Sequence, residues 1–394
     1  MSEQHPLIGL ARLMRQAYAG NDMVAIGDEL MARAADPEDA NALMDLSTLL
    51  QLRMQRDLAL ALQRQALAVS QLYHHPAARG PAIRLLALVA PGDIQSYTPL
   101  EFLLEDSDVA LDHLYVGHGL PFPDTVPDHD ILFVAINESD ANGPLLEALA
   151  GPLADWPKPV LERPERIPSL SRDRAPELLR DAPRVAMPGS VRLGRRRLAE
   201  LADESQPLPQ GYALPLIVRP VGSHAGKDLE KVETRTDIAA YLERVPGELF
   251  YLSPFIDYRS PDGQFRKYRV ALIEGKPYAC HMGISDHWII HYANAGMDES
   301  AEKRAEEAQW MAGFDQDFAV RHADALAGIQ SRFGLDYLII DCAETPDGRL
   351  LVFELDTGGV IHDMDPPELY PYKPAQMRKV FDAFHALLEH TLRR

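Results

Sequence analysis

The sequence predicts an α/β protein that opens with a helical region and closes in an α+β part. Three observations predict it. Residues 7 to about 73 are dominated by Ala, Leu, Met, Arg and Gln, good helix formers with little strand character. From Ile83 the character changes: the apolar runs IRLLALV and DILFVAIN alternate with helical stretches, the pattern of a parallel sheet. Near the C-terminus, Tyr337-Leu338-Ile339-Ile340 and Leu350-Leu351-Val352-Phe353 flank the polar turn Glu344-Thr345-Pro346-Asp347-Gly348, which reads as a β-hairpin.

Length and composition set the bounds. At 394 residues the chain exceeds one small core, so two or three domains are expected. Hydrophobic residues make up 46% and charged residues 25%, an ordinary globular balance. The net charge of -20 argues against nucleic-acid binding, because a phosphate backbone attracts basic surfaces. A polyphosphate ligand would need Lys and Arg gathered locally. No apolar run approaches the roughly 20 residues that span a bilayer, so no membrane association is expected. The start, MSEQHPLIGLARLMRQ, lacks the charged-then-apolar order of a signal peptide, and the expected compartment is the cytoplasm. Cys280 and Cys342 have no metal-ligand spacing, and Cys342 reads as a small buried filler.

In the helical region Ala25 and Ala32 recur 34 residues later as Ala59 and Ala66, with Pro37 between, the spacing of a tetratricopeptide-like helix pair. Two units are fewer than such arrays need for independent stability. The region reads equally as a cap on the next domain or as a surface for a peptide or protein partner. His74-His75-Pro76 and Gly80-Pro81 read as a linker. Pro91-Gly92-Asp93 after the first strand is not a dinucleotide fingerprint, since G-x-G-x-x-G is absent. Ser171-Arg172-Asp173 reads alone as a helix N-cap region.

A strand ending at Arg219-Pro220 runs into Gly222-Ser223-His224-Ala225-Gly226-Lys227, a loop of small residues whose amides can approach an anion. It is not a Walker loop, because Asp228 follows the Lys. Leu249 to Ile256 is apolar and strand-prone. Phe265 to Ile273 is a basic strand, with Lys267 and Arg269 on one face. His281, His287 and His291 lie on what reads as the end of the central sheet, placing His287 and His291 on one strand face; without supporting ligands nearby, substrate contact or packing is the reading rather than a metal site. Residues 298–311 are expected to form an exposed helix and 318–333 a second. Residues 363–374 should loop over the site, and 375–392 should form a closing helix. In the hairpin, Asp341 ends the first strand while Glu354 and Asp356 share a face of the second. Three such carboxylates suit a hard cation, although acids at a solvated hairpin edge would look the same.

The string D-C-A-E-T-P-D-G-R-L-L-V-F-E-L-D-T-G-G, 341–359, resembles the metal-binding end of the ATP-grasp ligases. The resemblance implies that Asp341, Glu354 and Asp356 hold Mg²⁺, or Mn²⁺ in its place, on the phosphates of ATP; Asp356 stands where Asn is usual. R-P-x-G-S-x-x-G resembles the family's glycine-rich loop and implies nucleotide contacts from Arg219, Ser223, His224, Gly226 and Lys227, with Arg219 where most members have Lys. Leu249 to Ile256 resembles the hinge strand and implies that Ser253, Phe255 and Ile256 border the adenine. Asp257 could meet the ribose but reads better as loop. Arg269 matches the family's catalytic arginine on the transferred phosphoryl group. Pro164 to Leu193 resembles the end of the N-terminal α/β domain of these enzymes.

The implied organisation is a tetratricopeptide-like region at 1–76, a Rossmann-like pre-ATP-grasp domain at 81–190 and an ATP-grasp domain at 191–394. The nucleotide loop then falls at about 214–232 and the metal hairpin at about 335–358. The branch most resembled joins glutathione synthetases and peptide-glutamate ligases. It implies an ATP-dependent carboxylate–amine ligase acting on an amino acid or peptide through an acyl phosphate, with a homodimer as a family-level expectation and the oligomeric state otherwise open. A catalytically silent nucleotide- or peptide-binding adaptor and a phosphotransferase that stops before amide formation are the alternatives.

Overall fold

The computed structural model describes residues 5–223, 226–291 and 295–394. It is an α/β protein with N-terminal helices and three sheets.

The N-terminal layer holds α1 (Leu10–Tyr18), α2 (Met23–Arg33), α3 (Ala40–Leu52) and α4 (Arg56–Val69). Asp22 and Asp39 cap α2 and α3 by accepting from amides of their first turns. Ala59 and Ala66 are fully buried, and the Ser47 hydroxyl donates to the Ala59 carbonyl at 2.7 Å. Ala25 and Ala32 are exposed, and α2 buries Gly27 and Leu30 instead. The 34-residue recurrence therefore does not mark equivalent packing positions.

The helical reading to about residue 73 and the linker at His74-His75-Pro76 are corrected. α4 ends at Val69, and β1 (Leu72–His75) is an edge strand with Tyr73 buried, Tyr73 and His113 being opposed in the ladder. Alternating burial through Leu72 to His75 explains why a strand wins over a linker there.

The first sheet has the order β1-β3-β2-β4-β5, with β2 (Ile83–Val89), β3 (Val109–Tyr115), β4 (Ile131–Val134) and β5 (Val160–Leu161) parallel and β1 antiparallel at the edge. Central strands covered on both faces need continuous apolar runs, and β4 is buried at every position. α5 (Leu100–Leu103), α6 (Gly143–Ala154) and α7 (Ala175–Leu178) belong to this part.

β6 (Val185–Ala186) leaves it to pair parallel with the last strand of the third sheet, so the two parts are stitched together before residue 190. The second sheet, β7-β10-β8-β9, is antiparallel: β7 (Val191–Gly194), β8 (Leu216–Pro220), β9 (Glu230–Val232) and β10 (Leu249–Pro254). With α8 (Arg195–Ala202) and α9 (Arg235–Arg244) it encloses a separate core around Leu198, Val218, Tyr241 and Phe250.

The third sheet runs β12-β11-β13-β14-β6, from β11 (Phe265–Ile273), β12 (Lys276–Ser285), β13 (Tyr337–Glu344) and β14 (Leu350–Asp356). The predicted hairpin is β13–β14. Asp341 lies inside β13 rather than at its end, since the strand continues to Glu344. β12 stops at Ser285, so His287 and His291 are not on a strand, and Tyr292 lies outside the described residues. α10 (Ala301–Gly313) is not simply exposed: it buries Glu307 and Met311, and the Met282 amide donates to Glu307 at 2.9 Å. The helix expected over 318–333 breaks at His322 into α11 (Phe318–Arg321) and α12 (Ala323–Phe333), where the His322 ring bonds Glu344.

α13 (Lys373–Arg393) joins the first and third sheets. The Phe384 ring lies 6.0 Å from that of Phe133 on β4 and 5.5 Å from that of Tyr337 on β13. Among the described residues no helix is long and apolar enough to cross a membrane.

Candidate functional site

Strand register builds the site. On the third sheet Arg269 of β11 lies opposite Asp341 of β13, which lies opposite Glu354 of β14. One cross-strand row therefore reads Arg, Asp, Glu. Lys267 and Asp356 extend it, each two residues away on the same face as its neighbour. Arg269 grips Asp341 with both arms, at 2.7 and 3.0 Å, and Lys267 reaches the same carboxylate at 2.8 Å. Burial alone would raise Asp341, but these two cations hold it well below the usual aspartate range.

Glu354 is claimed by Arg172, which comes from the segment before α7 and bonds its Oε1. Burial pushes Glu354 up, and the stronger pull of Arg172 and Arg219 together leaves it low. Asp356 takes the Gly358 amide at 2.9 Å. Burial, then the charge of Glu354, pushes its carboxyl upward.

Arg219, at the end of β8, supplies a fourth cation. It is buried, and its guanidinium turns onto Ser223, donating to the Oγ at 3.1 Å and to the carbonyl. Burial and the neighbouring Arg172 push Arg219 down to about 10. Two guanidinium groups forced together away from solvent mark a place where an anion would be welcome. Gly226 lies at φ +66°, and a Cβ there would fall 2.5 Å from the His291 ring, so only glycine lets the loop approach that segment. Lys227 is exposed, and His224 lies outside the described residues.

Ser253, Phe255 and Ile256 fall at and just beyond the C-terminal end of β10, an inner strand of the second sheet. Ser253 pairs with Ile217, and Ser253, Phe255 and Ile256 are half-buried. The Phe255 amide already donates to the Pro215 carbonyl at 3.1 Å, so that N–H is not spare for a base edge. Its ring meets Trp288 edge-on at 5.6 Å and carries Lys231 at 4.7 Å. Arg172, Lys231 and Trp288 were not picked out by sequence as binding residues. Only the Ser-Arg-Asp resemblance touched Arg172, and nothing local signalled the other two.

Among the described residues no group of three acids, histidines or cysteines is spaced to hold a metal ion. Asp341 and Glu354 face guanidinium or ammonium groups, so the acids form no resident metal cage. The donor set of Glu354 and Asp356, with Asp341 adjacent, fits a Mg²⁺ that arrives with phosphate, since that ion needs only one or two protein carboxylates.

A cavity of about 550 Å³ opens beside Lys267 and Arg269, with His281 and His291 on its wall. Burial drives His281 well below the ordinary histidine value, so its ring is neutral near pH 7. His287 lies outside this cavity, 83% exposed.

No protein-family model matches the chain, and no curated protein does. Among solved structures, the chain is similar to the VanG D-Ala:D-Ser ligase of Enterococcus faecalis at 13% identity, covering 79% of this chain and 100% of that one with a TM-score of 0.46. It is similar to the D-alanine–D-alanine ligase of Bacillus anthracis, crystallised with ATP, at 14% identity, with coverage of 79% and 99% and a TM-score of 0.46. A RimK-domain ATP-grasp protein of Sphaerobacter thermophilus aligns at 16% identity over 76% of this chain and 98% of its own, with a TM-score of 0.38.

Proposed function

We propose that this chain is an ATP-grasp carboxylate–amine ligase, forming an amide through an acyl phosphate. One observation carries the reading: Arg172, Arg219, Lys267 and Arg269 interleave with Asp341, Glu354 and Asp356 on one face, beside a glycine loop and next to a substrate-sized cavity. In a chain of net charge -20, such a cluster of cations calls for a polyanion.

Arg219, Ser223, Gly226 and Lys227 would hold the polyphosphate, as would His224. Ser253, Phe255 and Ile256 would border the adenine, with Lys231 and Trp288 beside them. Glu354, Asp356 and Asp341 would hold Mg²⁺, which when bound neutralises phosphate charge and makes the γ-phosphoryl group a better target. Arg269 would turn from Asp341 toward the phosphoryl group and stabilise its charge in transfer. A carboxylate in the cavity attacks the γ-phosphorus, releasing ADP; the amine then attacks the acyl carbon, and phosphate leaves.

Calorimetry of ATP with and without Mg²⁺, on wild type and Glu354→Gln, tests the site. Expected is tight binding only with Mg²⁺ and loss of that dependence in the variant; no nucleotide binding at all sinks the reading. The ion pairs that occupy Asp341 and Glu354 favour a second reading, a nucleotide-binding adaptor. ATP binding without ADP release for any acid and amine offered would select it.

A further inference from the structure

The cavity beside Arg269 is not closed by the sheet alone. Its far wall comes from the N-terminal helix α1, through Met14 and Tyr18. This helix is fastened at three places. At its start, buried Asp45 of α3 accepts from the amides of Ile8 and Gly9 at 2.8 and 2.9 Å. Gly9 sits at φ +81° with the His75 ring 2.9 Å from where a Cβ would stand, so the chain is pressed tightly there. In mid-helix Arg15 joins Glu105 at 2.6 Å to Asp363 at 2.8 Å, tying α1 to the loop that follows the site strand. At its end the Tyr18 ring lies 5.5 Å from that of His362. Leu10, Ala11 and Leu13 anchor the helix in the core, Met14 packs partly buried against the same core, and Tyr18 is 54% exposed.

We infer that α1 is part of the substrate site, with Met14 and Tyr18 forming the wall that selects the substrate's side chain. The inference rests on the ligase reading. The cavity's chemistry narrows the substrate. Lys267 and Arg269 at one end suit its carboxylate. Met14, Ile290, Met297, Ile361 and Met377 give an apolar and adaptable lining. Asp298 and Glu299, exposed at the rim, suit an ammonium group. The volume of about 550 Å³ lies in the range of small-ligand pockets. The substrate is an amino acid or dipeptide with a side chain larger than a methyl group.

The test takes the full chain as wild type, Met14→Ala, Tyr18→Ala and Tyr18→Phe. Mg²⁺-ATP binding is measured first by calorimetry. ADP release is then followed with the L- and D-amino acids and with glycyl dipeptides, hydroxylamine serving as the amine. Expected is equal nucleotide binding in all four. The two alanine variants should shift the ratio of kcat/KM between the bulkiest and the smallest accepted substrate by about tenfold or more, and Tyr18→Phe should keep most of the wild-type ratio. An unchanged ratio in both alanine variants overturns the inference. So does a wild type that binds Mg²⁺-ATP yet releases ADP with none of these compounds. A wild type that binds no ATP sinks the ligase reading itself, which the calorimetry separates from the other failures.

Discussion

Two carboxylates, one behind the first sheet and one in the third, are buried almost equally and titrate in opposite directions. Glu101 of α5 is 7% exposed, and Asp341 of β13 is 5% exposed. Glu101 accepts from the Tyr97 hydroxyl at 3.2 Å and has His113 at 3.9 Å, but burial keeps that histidine neutral near pH 7. Burial, with Glu105 adding to it, pushes Glu101 up to about 7. Asp341 lies between Arg269 and Lys267 and is driven down. Burial sets the cost of a charge, and its partners set the sign of the outcome. The first sheet is an apolar scaffold whose buried acids, Glu101 and Glu162 among them, are pushed toward the neutral form, chiefly by burial. In the third sheet the cations beside Asp341 and Glu354 hold both acids in the ionised form, while Asp356, with burial and Glu354 against it, is pushed the other way.

The sharpest way to break this contrast is to unpair Asp341. Removing both of its cations, in the double variant Arg269→Met and Lys267→Met, should cost about 3–5 kcal/mol in urea denaturation, because a buried carboxylate is left unpaired. Adding Asp341→Leu should return most of it, and a triple variant no more stable than the double would contradict the pairing. In the first sheet, Leu86→Ala removes a fully buried apolar side chain and should cost about 2–5 kcal/mol. Its Mg²⁺-ATP affinity should match wild type wherever the protein stays folded, and a large loss of affinity would mean the two regions are not separable.

At the seam between the regions, a Cβ on Gly358 would fall 1.6 Å from the Asn137 amide nitrogen. Gly358→Ala should therefore cost about 1–3 kcal/mol by overpacking. Asn137→Ala in the same chain should relieve the clash, so a fully additive double-mutant cycle would sink this account. Asn137 also accepts from the Thr357 hydroxyl at 3.0 Å, which the companion variant gives up.

The smallest effect is in the pH dependence of Glu101. Its native form holds the proton more tightly than the unfolded chain, so its contribution to stability is complete below about 4.5 and is lost as pH rises through about 7. Glu101→Gln should match wild type near pH 4.5 and exceed it at pH 8 in denaturant midpoint. For Asp341 the sign reverses: its stabilisation is present above the ordinary aspartate range and is lost as acid protonates it. Equal midpoints for wild type and Glu101→Gln at both pH values would remove the contrast.

The sequence by itself determined the α/β class, the hairpin at 337–356, the apolar strands β2 and β4, the closing helix and the small-residue loop after β8. Each of these rests on local periodicity or turn chemistry, readable within a window of a few residues. It also put Lys267 with Arg269, and Glu354 with Asp356, on common strand faces, because side chains alternate strictly along a strand. Only the tertiary structure decided which charges meet. Alternation names a face, whereas register names a partner, and the row Arg269–Asp341–Glu354 exists because three strands align in one register. Arg172 finds Glu354 across 182 residues, and Arg15 finds Asp363 across 348, separations that no local pattern encodes. The strand at Leu72–His75 was missed for the same reason: its hydrogen bonds come from β3, some forty residues away, not from its neighbours in sequence.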